Sequence, residues 1–79
     1  MEDEQLKLRA ISLWQEGYRA HMDGDLDRAV ELYSRSIELL PTAEAYTFRG
    51  WAYSYLGRID DALAQCHEAI AIDPTFGNP

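Results

Sequence analysis

The apolar residues of the first 22 positions recur at intervals of three and four, the spacing that brings side chains to one face of a helix. The residues that follow this spacing are Leu6, Ala10, Leu13, Gly17 and Ala20. Three acidic residues precede them, at positions where the helix dipole favours negative charge. The pattern therefore predicts a first helix from about Glu2 to about Met22.

Three further helices are predicted from the same periodicity and from the residues that interrupt it. Their predicted ranges are about 26–39, 43–56 and 59–72. Gly24 and Gly57 are placed in the intervening turns because glycine tolerates the left-handed conformation in which many helices end. Asp25 and Thr42 are predicted N-caps, and Pro41 ends the second helix. The sequence therefore predicts an all-α chain of four helices.

Two stretches of the chain match each other at a shift of 33 residues. The matched pairs include Gly17 and Gly50, Ala29 and Ala62, and Pro41 and Pro74. A period of this length is typical of helical solenoids, in which each unit is too small to bury its apolar face alone. A glycine in mid-helix costs about 1 kcal/mol relative to alanine, so its presence in both copies predicts a close helix crossing there.

The spacing within each copy resembles the tetratricopeptide repeat, whose pattern is W-x2-L-G-x2-Y, then A-x3-F, then P. The first copy reads Leu13-x2-Glu16-Gly17-x2-Ala20, Ala29-x3-Tyr33, Pro41, and the second reads Tyr46-x2-Arg49-Gly50-x2-Tyr53, Ala62-x3-Cys66, Pro74. The chain departs from the pattern at Leu13, which replaces a large aromatic residue, and at Glu16 and Arg49, which replace an apolar residue. The resemblance implies tandem helix-turn-helix repeats in a short right-handed α-solenoid.

The resemblance also divides the chain, which we interpret as a single array over residues 1–79. Residues 1–9 extend the first helix, residues 10–42 form the first repeat and residues 43–75 form the second. By the same shift, residues 76–79 correspond to the start of a truncated third unit or of a capping helix.

The formal net charge of −7 argues against nucleic acid as a partner, because nucleic-acid binding relies on Lys and Arg to neutralise phosphates. It favours neutral or basic protein partners, although acidic residues also serve simply to solvate the outer faces of helices. No apolar run approaches the roughly 20 residues that span a bilayer, and acidic residues stand where a signal peptide is basic. The single cysteine fits a reducing compartment. We therefore predict a cytoplasmic protein that does not bind a membrane.

Catalysis would have to use Cys66, His21 or His67, and none of them forms a convincing site. Cys66 matches Tyr33 of the first copy, an inward packing position, and buried cysteine usually behaves as a small hydrophobic residue. His67 is adjacent to Cys66 and so points about 100° away around the helix. No catalytic residue, metal ligand or cofactor is predicted, and the chain is interpreted as non-enzymatic.

A second stripe of mainly aromatic and polar residues lies beside the core stripe on the first and third helices. Its members are Ile11, Trp14, Tyr18, His21, Thr47, Trp51, Ser54 and Tyr55. In tetratricopeptide repeats this face lines a concave groove that holds partner peptides, so the resemblance implies that these are the binding residues. The alternative is that some of them pack between repeats, and the groove hypothesis requires Trp14 and Trp51 to be at least partly accessible.

Many members of the family hold acidic C-terminal tails through Lys and Asn residues of the groove. At the matching positions this chain has Trp14, Tyr18 and Phe48, which lack the donors needed to hold a carboxylate. Arg49 is the cation that remains. Binding of such tails is therefore not expected.

Three functions remain open at this point. The leading one is a protein-interaction module whose groove binds a peptide or protein segment through apolar and stacking contacts. The second is self-assembly or scaffolding through an uncapped C-terminal edge, with Leu63, Ile70 and Phe76 as candidate contacts and a homo-oligomer as the product. The third, single-stranded RNA binding, is disfavoured by the negative charge.

Overall fold

The computed structural model describes residues 2–76, and within that range it contains four α-helices and no strand. They are α1 (Glu2–Met22), α2 (Leu26–Leu39), α3 (Ala43–Tyr55) and α4 (Ile59–Ile72). The predicted all-α class is confirmed, and α3 ends one residue earlier than predicted because Leu56 is its C-cap. Apart from Phe76, the predicted start of a third unit lies outside the described residues.

The two short turns and the helix N-termini form as the sequence predicts. Gly24 and Gly57 have φ values of +86° and +80°, the left-handed conformation that favours glycine. Asp25 and Thr42 each accept a hydrogen bond from the backbone N–H three residues later, both at 3.2 Å. Leu40, which precedes Pro41, is extended and ends α2.

The core lies where the two helical hairpins meet. Each helix packs against the next one in the chain, and α1 also contacts α3. Ala29, Tyr33 and Ala52 form a buried cluster to which α2 and α3 both contribute. The partly buried hydrophobic residues packed against this cluster are Trp14, Ala20, Leu26, Val30 and Phe48. One core therefore joins the two repeats.

Both mid-helix glycines lie at close helix crossings, as predicted. A Cβ atom on Gly17 would lie 2.7 Å from two ring carbons of Tyr33. A Cβ atom on Gly50 would lie 3.3 Å from both the carbonyl oxygen of Ala62 and the Cβ of Gln65. The first crossing has no room for a side chain, and the second is merely tight.

Two polar contacts connect the helices across the array. Ser36 Oγ donates a hydrogen bond to the carbonyl oxygen of Ala10 at 2.6 Å, which fixes α2 against α1. Arg49 Nε donates to Gln65 Oε1 at 2.8 Å, and its Nη1 donates to Ser34 Oγ at 2.9 Å. Arg49 thus links α2, α3 and α4.

The helix α4 corrects one expectation about packing. Cys66 is exposed rather than inward-facing, and Ile59, Leu63 and Ile70 are exposed with it. The residues of α4 that are buried instead are Ala62, Gln65 and Ala69. Tyr33, the counterpart of Cys66, is buried because Phe48 of α3 packs on it, with ring centroids 6.1 Å apart. Among the described residues no further helix covers α4 in this way.

Candidate functional site

The helices α1 and α3 lie side by side, and aromatic side chains fill the surface between them. Phe48 is at the centre of this cluster. Its ring centroid lies 5.3 Å from Trp14, 5.5 Å from Tyr18 and 5.3 Å from Trp51. These separations are typical of favourable aromatic pairs. The two halves of the predicted stripe are therefore brought together in one surface, here called the α1–α3 groove.

The predicted residues of this groove form a buried layer and an exposed layer. Trp51 is 50% exposed and Tyr55 is 74% exposed, and Tyr18 and Ser54 are exposed as well. Ile11, Trp14 and Thr47 are partly buried. The indole N–H of Trp14 is buried without a hydrogen-bond partner. The groove surface is thus presented mainly by α3 and by Tyr18.

Phe48 is not among the groove residues predicted from the sequence, in which it stands only at a position where many family members have an amide. The available signal was its spacing, since Phe48 lies three residues before Trp51 and seven before Tyr55 and therefore near both on one helix face. Its central position depends on how closely α1 approaches α3, which the sequence does not specify.

His21, a predicted groove residue, is buried at the end of the groove. It retains 7% of its accessible surface. The ring of Tyr55 packs edge-on against it at 5.4 Å, and its Nδ1 atom has no hydrogen-bond partner. Burial lowers the pKa of His21 below its ordinary value of 6.5, because the charged form loses hydration. His21 is therefore neutral at physiological pH.

Two adjoining cavities surround His21 at the end of the groove. One, of about 250 Å³, is lined by His21, Met22, Gly24, Leu26 and Tyr55. The other, of about 290 Å³, is lined by His21, Met22, Trp51, Ser54 and Tyr55. Met22 was not predicted here, although it follows Tyr18 by four residues and so lies on the same face of α1.

Arg49 does not face this groove. Its guanidinium is directed to Gln65 and Ser34, and it lies 5.5 Å from the ring centroid of Tyr46 and 5.9 Å from that of Tyr53. These contacts hold the guanidinium between α2 and α4. The groove therefore lacks the one cation that the sequence comparison had left for holding a carboxylate.

The predicted edge residues are all exposed. Leu63 is 54% exposed, and Ile70 and Phe76 also present large apolar surfaces. Ile59 and Ile72 add to the exposed apolar surface of α4. These residues form an exposed apolar surface, and their role as an assembly edge stays a prediction.

Comparison with known proteins agrees with this geometry. The family model described as "Tetratricopeptide repeat" matches residues 43–76, which contain α3 and α4. The chain belongs to the tetratricopeptide repeat family. The first tetratricopeptide repeat, formed by α1 and α2, has the same helical hairpin and the same left-handed glycine in its turn. The boundaries predicted for the two repeats stay predictions.

Several curated proteins are similar to this tetratricopeptide repeat chain. Mouse "Sperm-associated antigen 1" is 43% identical over 58 residues, which cover 73% of this chain and 6% of that protein. "Small glutamine-rich tetratricopeptide repeat-containing protein 2" of Saccharomyces cerevisiae is 34% identical over 76 residues, covering 95% of this chain and 22% of that protein. "Protein SGT1 homolog" of Oryza sativa is 41% identical over 58 residues, which cover 72% of this chain and 16% of that protein. The chain thus spans a small part of each relative's length.

Across residues 2–76, none of the helices has both the length and the apolar character required to traverse a bilayer. In the same part of the chain, no three His, Cys, Asp or Glu side chains come together as metal ligands would.

Proposed function

We propose that this tetratricopeptide repeat chain is a protein-interaction module whose α1–α3 groove binds a peptide or protein segment through apolar and stacking contacts. The observation that supports the proposal is the exposure of Trp51 and Tyr55 above a layer of partly buried aromatic side chains. Tyr and Trp are enriched among the residues that contribute most to binding at protein interfaces.

The partly buried aromatic side chains beneath Trp51 support a binding role for the exposed rings. Phe48 is held by Trp14, Tyr18 and Tyr33, and in turn holds the ring of Trp51. An aromatic side chain that is already positioned loses little conformational freedom when a partner covers it. The exposed rings are therefore suited to act as rigid anchors.

The net charge of the chain bears on the kind of partner, and its candidate catalytic groups bear on whether the role is enzymatic. The net charge of −7 favours a neutral or basic partner over an acidic one. Of the three candidate catalytic groups, His21 on α1 is buried, whereas Cys66 and His67 on α4 are exposed. We propose a non-catalytic role that uses no cofactor. The cytoplasmic location predicted from the sequence stays a prediction.

A peptide-library selection against matched variants tests the groove. We expect peptides selected on the parent chain to contain apolar or aromatic residues and to lose binding to the Trp51→Ala variant. The Leu63→Ala variant is the control, because Leu63 is similarly exposed but lies on α4. Both variants should keep the parent circular dichroism spectrum. Equal binding of the parent and Trp51→Ala would contradict the groove.

Salt dependence separates this proposal from RNA binding. Binding that neutralises phosphates weakens steeply as salt rises, because counterions are released. Binding to an aromatic groove should change little between low and moderate salt. Measurable binding of single-stranded RNA with a steep salt dependence would instead support the nucleic-acid alternative.

Self-assembly through α4 is the second candidate function. It is favoured by the exposed stripe of Ile59, Leu63, Cys66 and Ile70, which recurs at helical spacing on one face. If the chain associates through this face, sedimentation should show larger species at high concentration, and Leu63→Glu or Ile70→Glu should abolish them. A monomer at every concentration, unaltered by those substitutions, would exclude this function.

A further inference from the structure

The two cavities beside His21 form a recess at one end of the α1–α3 groove, here called the His21 recess. Its lining comes from three helices, with Met22 from α1, Leu26 from α2, and Trp51 and Tyr55 from α3. We propose that the His21 recess binds one large apolar side chain of a partner segment, and that the acidic α1–α2 turn beside it binds an adjacent Lys or Arg. This inference rests on the proposed function of the groove.

Each of the two parts of the recess can hold a side chain and is smaller than the usual site of a drug-sized ligand. The two parts measure about 250 and 290 Å³. Sites for drug-sized ligands usually occupy roughly 300–1,000 Å³. Gly24 keeps one side open, since a Cβ atom built there would meet nothing within 4 Å. A single Phe, Leu or Tyr side chain can therefore enter from the turn.

The chemistry of the lining also fits such an occupant. Met22 and Tyr55 are strongly exposed, so a partner that covers them removes apolar surface from water. Beneath them His21 is more than nine-tenths buried, and its Nδ1 atom lacks a hydrogen-bond partner. An apolar pocket with a single unpaired polar group is the usual composition of a binding site.

The turn beside the recess is acidic. Asp23, Asp25 and Asp27 surround Gly24 and Leu26 in the chain, and all three are exposed. Arg28, the next residue, pairs with Glu31 at 3.7 Å rather than with these carboxylates. Asp25 and Asp27 are partly balanced by the N-terminal dipole of α2, which leaves Asp23 as the strongest attraction for a cation.

The same charges argue against other occupants. An apolar residue flanked by Asp or Glu would place like charges together at the turn, which costs affinity. A second copy of this chain carries a net charge of −7 and would meet the same repulsion. A segment that carries Lys or Arg next to its apolar residue avoids this cost.

Nuclear magnetic resonance with short peptides tests the proposal directly. The probes are the acetylated, amidated tripeptides Lys-Phe-Lys, Glu-Phe-Glu and Lys-Ala-Lys at millimolar concentration. We expect Lys-Phe-Lys to shift the Met22 methyl and His21 ring signals and to bind at least about tenfold more tightly than either other peptide.

Two pairs of variants locate the interaction. Met22→Glu should abolish the shifts caused by Lys-Phe-Lys, whereas Leu8→Glu should not, since Leu8 is similarly exposed on the same helix but does not line the recess. Asp23→Lys should remove the preference for Lys-Phe-Lys over Glu-Phe-Glu. Asp3→Lys makes the same change of charge in the first turn of α1 and should preserve it.

The outcomes distinguish this inference from the groove itself. If Lys-Phe-Lys shifts Trp14 and Tyr18 signals but leaves Met22 and His21 unchanged, the groove binds peptides and the His21 recess is not the anchor site. If no probe shifts Met22 or His21, the inference is wrong, while the library selection with Trp51→Ala still decides the groove. Equal effects of Met22→Glu and Leu8→Glu would also overturn it.

Discussion

The outer faces of α2 and α4 are equivalent in sequence but differ in structure. At the shift of 33 residues, Val30, Tyr33 and Ile37 of α2 correspond to Leu63, Cys66 and Ile70 of α4. The three residues of α2 are buried or partly buried because α3 covers them, and the three of α4 are exposed. In a repeat array, burial is decided by the neighbouring unit as much as by the residue.

The largest expected difference between the repeats concerns Tyr33 and Cys66. Tyr33 is fully buried against Gly17 and Phe48, so Tyr33→Ala should lower the free energy of unfolding by about 3–5 kcal/mol. Cys66 is exposed, so Cys66→Ala should change it by no more than about 0.5 kcal/mol. Chemical denaturation of both variants measures the contrast, and similar losses would contradict it.

The Tyr33→Phe variant is the control for this comparison. The Tyr33 hydroxyl is buried without a hydrogen-bond partner, and burial, with a smaller contribution from Tyr18, raises the pKa of Tyr33 to about 12. Removing an unsatisfied hydroxyl should leave stability unchanged or raise it slightly. A large loss in Tyr33→Phe would mean that the hydroxyl is paired in solution.

The two glycine crossings should also respond differently to the same substitution. A Cβ atom on Gly17 meets the buried ring of Tyr33 at 2.7 Å, so Gly17→Ala should destabilise the chain by about 1–3 kcal/mol. On Gly50 the closest contacts are 3.3 Å, and the gain of about 1 kcal/mol in helix propensity should largely offset them. If thermal unfolding shows that Gly50→Ala is less stable than Gly17→Ala, the predicted difference between the two crossings is wrong.

A smaller difference is expected from the hydrogen bond that fixes the first hairpin. Ser36→Ala removes the bond to Ala10 and should cost about 1 kcal/mol. The equivalent position in the second repeat is Ala69, which is buried and already lacks a hydroxyl. The second hairpin therefore has no counterpart of this hydrogen bond. Chemical denaturation of Ser36→Ala measures the loss.

The smallest expected effect is a pH dependence that belongs to the first repeat. The pKa of His21 is lowered by burial, so the unfolded chain binds a proton at pH values where the folded chain does not. Stability should therefore fall as pH decreases from about 6.5 towards the lowered pKa, and stay unaffected by His21 above that range. His21→Gln should reduce this loss, and chemical denaturation at several pH values measures the difference.

Most of the fold could be predicted because its signals are local. The left-handed turns at Gly24 and Gly57, the caps at Asp25 and Thr42, and the stop at Pro41 each depend on a few adjacent residues. The repeat shift then predicts the crossings, because a glycine recurs where two helices approach. The turn, cap and repeat signals all indicate the same helix ends, which is why the predicted helix boundaries agree closely with the structure.

The candidate site was less predictable because it depends on how α1 and α3 approach each other. The sequence placed Trp14, Tyr18 and Trp51 on suitable helix faces, but not the central position of Phe48 or the burial of His21 beneath Tyr55. The error at Cys66 has the same origin. A helix face reveals which residues are apolar, and the neighbouring helix decides which of them are covered.

Arg49 connects three helices, and this has a consequence for the cooperativity of unfolding. Its hydrogen bonds reach Ser34 in the first repeat and Gln65 in the second. In a linear array the cooperativity of unfolding depends on interface contributions of this kind, as distinct from the intrinsic stability of each unit. Loss of this side chain should weaken the coupling between the two hairpins, so that the opening free energies reported by amide hydrogens in α1 and α4 would differ more. Together with the shared core of Ala29, Tyr33 and Ala52, one residue that departs from the family pattern thereby favours the joint unfolding of two small units.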